Sequence, residues 1–290
     1  MKLRPILVLC LAVLLGLPLW GQDREGGIIG TGIEAAGIFG TITHLGSIWV
    51  NGQHITFDPE LTVLDSTGPT RAADLRPGHT VAVVAVPDGD GWRARHIRQV
   101  TPLVGPVSEV QPDRLVVLGT TVWGENSGIA PGDRIAVSGV WRGNDVVASR
   151  FDPAENLPAQ ITGTWLGGDL RLGKTDLLGI APEHLESGDV VRAVGLPRSD
   201  GLHVQQLETG LFTDPVSIVQ AEGYVSPPRP DGLYTVLGSG LLAYTDAPYS
   251  MQQNERSLVC GIADTMRSGD RPDPPLPTHS LSDRLGCPAP

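Results

Sequence analysis

Seven histidines, three cysteines and a scatter of serines and carboxylates are the residues of this 290-residue chain that could carry chemistry. A metal centre needs its ligands at short, regular spacing, such as two histidines four apart on a helix. His44, His54, His79 and His96 crowd one stretch, but no pair of them has that spacing. Clustering of His44, His54 and His96 would be the mark of a metal or small-ligand carrier. Serine hydrolysis needs Ser, His and an acid within hydrogen-bond reach. The chain has no Gly-x-Ser-x-Gly elbow, and Gly238-Ser239-Gly240 reads as a loop between apolar strands. Asp88 and Asp90 flank a turn glycine, which suits a hairpin better than calcium. Gly30-Thr31-Gly32-Ile33-Glu34-Ala35 fits a dinucleotide fingerprint in letters alone, because a period-2 β pattern follows it and not a helix. These residues predict no catalytic, cofactor-binding or metal-ligating set.

The cysteines speak to compartment. Cys10 lies inside the apolar run Ile6 to Leu15, behind the basic start Met1-Lys2-Leu3-Arg4. With Pro18 and Gly21 at its exit, this is the plan of a signal peptide over residues 1–21. The run is too short for a membrane span, which needs roughly 20 apolar residues. The expectation is a periplasmic or secreted protein with no stable span after cleavage. Loss of Lys2 and Arg4 takes the formal net charge from −11 to −13 and leaves Lys174 as the sole lysine. Such acidity argues against nucleic acid as a partner, since that binding runs on cationic patches. Cys260 and Cys287 remain, and an even count in an exported chain predicts a disulfide. His279 is the only further ligand nearby, too few for zinc. The bridge would tie down a Pro-rich tail, residues 261–290.

The elements that would position such residues repeat. Leu75-Arg76-Pro77-Gly78-His79-Thr80-Val81, Ile129-Ala130-Pro131-Gly132-Asp133-Arg134-Ile135 and Leu185-Glu186-Ser187-Gly188-Asp189-Val190-Val191 share one anchor, with glycines 54 and 56 residues apart. Internal repetition outranks local readings. A glycine can take positive φ where the chain enters a strand, and a neighbouring Asp can bond nearby backbone N–H groups. Gly78, Gly132, Asp133, Gly188 and Asp189 are therefore expected as structural turn residues. Ile48-Trp49-Val50, then Asn51-Gly52, then Gln53 to Phe57, is a hairpin with a type I′ turn. About five short strands per repeat, with one helical turn before the fourth, predict an all-β chain of tandem small OB-like Greek-key barrels.

The segments Gly37-Ile38-Phe39-Gly40-Thr41-Ile42-Thr43, Gly46-Ser47-Ile48-Trp49-Val50-Asn51-Gly52 and Leu75-Arg76-Pro77-Gly78 resemble the bacterial domain-of-unknown-function family 5666. The resemblance implies export and small tandem β modules, and it implies no activity. His79 stands where the anchor expects Asp, which puts the turn bond of the first module in question.

The predicted organisation is a signal peptide (1–21), a Gly-rich lead (22–36), β modules at 37–104, 105–156 and 159–213, a degenerate fourth module (214–260) and the tail. Each module is expected to hold its own core, so that breaking the cysteine bridge would loosen the tail alone. Repetition without a catalytic constellation predicts a non-catalytic exported protein that binds or scaffolds in the cell envelope, with a protein or glycan partner. Trp49, Trp92, Trp123, Trp141 and Trp165 all lie in strand patterns. One left exposed would be a stacking surface. The alternatives are a hydrolase with its site at a module interface, marked by a deep pocket holding a His–acid pair, and the carrier named above.

Overall fold

The computed structural model describes residues 34–64, 70–228, 233–244, 255–261 and 281–287. The predicted signal peptide, nearly all of the lead and residues 30–33 of the dinucleotide-like stretch lie outside them. All the described residues belong to one unit, Glu34–Pro290.

Module one contains β1 (Ala36–His44), β2 (Ile48–Val50), β3 (Gln53–Thr56), β4 (Thr62–Leu64), β5 (Thr70–Arg71), a 3-10 turn (Ala72–Asp74), β6 (Thr80–Asp88) and β7 (Gly91–Gln99). Asn51 (φ 55°) and Gly52 (φ 79°) both take positive φ, as a type I′ turn requires. Ile48 and Val50 are buried and Trp49 faces outward, the period-2 pattern of a half-buried strand. The barrel closes through antiparallel pairs β1–β2, β2–β3, β6–β7 and β1–β6 and one parallel pair, β3–β7. This connectivity is compatible with an OB-type Greek key.

Module two repeats it with β8 (Leu103–Gln111), β9 (Arg114–Val117), β10 (Thr120–Trp123), β11 (Arg134–Arg142) and β12 (Asp145–Pro153). The parallel closure is β10–β12, and β11 returns to β8. Module three comprises β13 (Ala159–Thr164), β14 (Arg171–Leu172), β15 (Thr175–Leu178), β16 (Val190–Arg198) and β17 (Gly201–Thr209). Its parallel pair is β15–β17. No ladder joins β13 to β14 among the described residues; β13 pairs instead with β8 of module two and with β16. The helical turn predicted before every fourth strand forms in module one; modules two and three reach the anchor through hydrogen-bonded turns.

The last strand of each barrel carries a bulge at the same place: Arg95 of β7, Ser149 of β12 and Gln205 of β17 have no residue opposite them on the paired strand. Register shifts fall at Val84/Ala85, Ser138/Gly139 and Val194/Gly195. These positions are 54 and 56 residues apart, the period of the anchors. A bulge bends a strand and increases its twist, which a five-stranded barrel needs in order to close.

The last module begins with β18 (Ile218–Gly223), β19 (Leu233–Val236), β20 (Leu241–Tyr244) and β21 (Ser257–Gly261). β18 runs parallel to β1, from Ala36↔Ile218 to Phe39↔Ala221, and antiparallel to β21. The expectation of separate cores fails. One apolar cluster contains Leu103, Val107 and Val137 of module two together with Ile161, Val191 and Leu202 of module three. The β8–β13 ladder forces this, because a sheet shared by two barrels buries side chains common to both.

The Pro-rich tail is more than a strap, because its described part packs into a core. Residues 281–287 form a turn of helix, α1 (Ser282–Leu285), ended by Gly286 in the left-handed region (φ 67°). Leu281 and Leu285 are four apart on one helical face, and both are buried in the core of module one. The Leu285 carbonyl accepts hydrogen bonds from Gln53 (2.9 Å) and buried Gln220 (2.6 Å). Arg284 donates to the Gly89 and Gly91 carbonyls and sits 5.4 Å from the Trp92 ring centre. Cys260 of β21 and Cys287 are disulfide-bonded with Cα atoms 5.8 Å apart, and so hold this plug in place.

Candidate binding site

The anchor turns use their side chains as the chemistry of Asp allows. Asp133 Oδ2 accepts the Ala130 N–H (2.8 Å) and Asp189 Oδ2 the Glu186 N–H (2.9 Å). In module one His79 Nδ1 accepts the Arg76 N–H (3.2 Å), so an unprotonated imidazole nitrogen replaces the carboxylate. Each anchor also exchanges two backbone bonds with the first strand of its own barrel: Gly78 and His79 with Ile42, Gly132 and Asp133 with Val107, Gly188 and Asp189 with Trp165. The three glycines have φ of +90°, +98° and +107°, where a Cβ is strained. Gly132→Val and Gly188→Val are each expected to cost about 1–3 kcal/mol. Urea melts that do not shift would contradict the role given to the turn.

The anchor of module one does further work, because three successive residues dock on module two. Ser149 Oγ donates to the Gly78 carbonyl (2.6 Å). His79 Nε2 lies 3.1 Å from Asp152 Oδ2. The buried Thr80 hydroxyl donates to the Gly139 carbonyl (3.1 Å) and accepts the Gly139 N–H (2.9 Å). Burial pushes the Asp152 carboxyl up, but hydrogen bonds from His79 and Arg150 outweigh it and hold the group below the usual carboxylate range.

Asp152 also lines a cleft of about 960 Å³ within module two, between the Gly124–Ile129 loop, the anchor of module two and the strand Ala148–Pro153. This places a His–acid pair that bridges two modules beside a cleft, close to the mark set for a hydrolase. The geometry uses it up. With Nδ1 accepting a backbone N–H and Nε2 donating to Asp152, His79 has no nitrogen left to take a proton from a nucleophile.

Four other histidines go to separate partners. His96 meets Asp214 (2.8 Å), His203 meets Asp200 (3.1 Å), His44 bonds Thr43, and His54 Nε2 bonds Ser47 Oγ. Among the described residues no three His, Cys, Asp or Glu side chains gather as metal ligands.

The tryptophans divide sharply. Trp92, Trp141 and Trp165 are buried, and each indole N–H has an acceptor: Gln53, the Thr162 carbonyl and the Asp169 carbonyl. Trp123 donates to Asp145 and lies between Arg114 and Arg142. Trp49 is 38% exposed on β2. Its ring packs on that of His54, directly opposite on β3, with centres 4.8 Å apart. The Thr43 hydroxyl donates to the Trp49 carbonyl, Ser47 Oγ bonds His54, and Leu45 is exposed in the turn between β1 and β2. The result is an apolar ring face with polar groups beside it. The strand patterns leave the five tryptophans equal; that Trp49 is the exposed one, and that it pairs with His54, is seen only in the folded chain.

The fold defines a class: an all-β protein of tandem five-stranded barrels that share one glycine-anchored turn. Two of its barrels match the family described as "Domain of unknown function (DUF5666)", over residues 39–98 and 104–151. The match covers two tandem segments, and the third module, outside it, repeats the order of elements without the pairing of its first two strands. Neither the comparison with curated proteins nor that with solved structures gives a match. Among the described residues no helix is long and apolar enough to cross a membrane.

Proposed function

We propose that this chain is a non-catalytic binding or scaffold protein of the bacterial cell envelope, periplasmic or secreted, that meets a glycan or protein partner through the Trp49 face of module one. The observation that carries the proposal is the exposed indole itself. Apolar surface left on a barrel whose other described tryptophans are buried or flanked by charge is poorly explained by folding. An indole face takes the C–H side of a sugar ring or an apolar protein side chain, while His54, Ser47 and Thr43 supply hydrogen bonds around it. The disulfide supports export, because such bridges persist in oxidising compartments. Occupation of both His79 nitrogens supports a non-catalytic role. The acidic balance of the chain speaks against nucleic acid.

The test is capture on immobilised full-length protein, offered both isolated envelope glycan strands and the soluble envelope proteins of the source bacterium. Trp49→Ala should weaken whatever is retained by roughly tenfold or more, since a stacked aromatic contributes about 1–3 kcal/mol. Retention equal to wild type in Trp49→Ala, with the fold intact, would remove this face from the proposal.

A further inference from the structure

Modules one and three meet at a group whose charges do not balance. Arg98 stands on β7 of module one; Arg192 and Glu208 are directly opposite each other on β16 and β17 of module three. The two arginine side chains are only 16% and 15% exposed. Arg192 Nη2 bonds Glu208 Oε2, and Gln206 donates to Glu208 Oε1 (2.7 Å). Arg98 reaches no closer to that carboxylate than 3.7 Å, beyond hydrogen-bond range, and makes no hydrogen bond among the described residues. The Nε atoms of both arginines are buried without an acceptor. The neighbouring acid, Asp214, is taken by His96.

Two guanidinium groups largely removed from water therefore share one carboxylate, and one of them makes no hydrogen bond among the described residues. Buried polar groups are nearly always satisfied, and an unsatisfied cation marks a missing partner. Burial, and then the like charge of Arg192, push the Arg98 guanidinium below its ordinary value, which is the electrostatic sign of the same deficit. A purely structural triad would bring both arginines onto the carboxylate.

We propose that Arg98 and Arg192 form a binding site for a phosphoryl oxyanion at the joint of modules one and three, as free phosphate or as the terminal group of a larger molecule. A guanidinium presents parallel N–H donors that match phosphate oxygens, and a tetrahedral anion has enough oxygens for two such forks. Both carboxylate oxygens of Glu208 are already engaged, so the ligand adds negative charge without displacing it. Because the protein as a whole is strongly acidic, general attraction cannot gather anions, and any saturable binding is the work of this local pair. The site is independent of the Trp49 face.

The experiment is calorimetric titration of the full-length protein with inorganic phosphate and with methyl phosphate, against chloride and acetate at matched ionic strength. Saturable binding of phosphate is expected, weakened roughly tenfold or more in Arg98→Gln, since a hydrogen bond to a charged group is worth about that factor. Glu208→Gln should tighten binding, because it removes the one competing negative charge. A structural triad would instead show a lower melting temperature in Glu208→Gln with no gain in phosphate affinity. Binding of methyl phosphate as well as phosphate identifies a terminal phosphoryl group, and binding of phosphate alone identifies the free anion. No saturable heat beyond that of chloride, or equal binding in Arg98→Gln, overturns the proposal.

Discussion

Reduction of the Cys260–Cys287 bridge is expected to lower the stability of the whole protein by about 3.5 kcal/mol and to open module one. The closed loop spans 27 residues, and the chain-entropy relation gives that figure for such a length. The opening follows from what the bridge holds. Leu281 and Leu285 leave the module-one core when α1 departs, and Gln53 and Gln220 lose their shared acceptor. Trp92, fully buried, loses the Arg284 side chain from its ring. Hydrogen exchange with and without reductant is the measurement. Faster exchange in β3, β7 and β18 is expected, with β9 and β10 of module two slower to respond. Exchange that changes only beyond residue 261 would show that α1 merely rests on a finished barrel. The double variant Cys260→Ser with Cys287→Ser should reproduce the reduced protein.

Gly139→Val should cost about 3–5 kcal/mol, the combined size of severe overpacking and of lost buried hydrogen bonds. A Cβ at Gly139 would fall within 2.3 Å of the Val147 carbonyl oxygen, a backbone atom of the paired strand that cannot swing aside. The bulge would have to shift, and with it both bonds to the Thr80 hydroxyl. The joint between modules one and two is thereby damaged along with the barrel. Thr80→Val tests the joint alone, leaving the Gly139 N–H unpaired for a cost of about 1–3 kcal/mol. Urea melts of both variants decide it. A loss below about 1 kcal/mol in Gly139→Val would mean that the bulge re-forms elsewhere along β12.

Much of the barrel plan was readable because glycine has so few substitutes where φ is positive. The Asn51-Gly52 turn and the Gly78, Gly132 and Gly188 anchors announce themselves for that reason. The bulge repeats with the same period but was hidden, since its unpaired residues, Arg95, Ser149 and Gln205, share no side-chain type. Strand β15 was missed: Thr175 to Leu178 is too short to show alternation between Gly173 and Gly179. The plug escaped notice although Leu281 and Leu285 have helical spacing, because Pro-rich surroundings suggest nothing to bury. His79 keeping the turn bond through Nδ1, while reaching Asp152 73 residues away, depends on a module contact that no local pattern encodes. The Arg98–Arg192 meeting is equally long-range. Each of those side chains, read alone in its strand, looks like an ordinary surface residue.

The parallel ladder between β1 and β18 has a mechanical consequence. β1 opens module one and β18 follows module three, so every residue of modules two and three lies on the loop between them. Tension on the segment entering β1 and on the segment leaving β18 pulls the paired strands along their length in opposite directions. The inter-strand bonds from Ala36 to Phe39 then carry the load together instead of parting one after another, as they would in a hairpin peeled from its open end. Modules two and three, enclosed by that loop, are shielded from force until the ladder shears. For a load applied at those two points, the ladder is a fuse that sets the force at which they begin to extend.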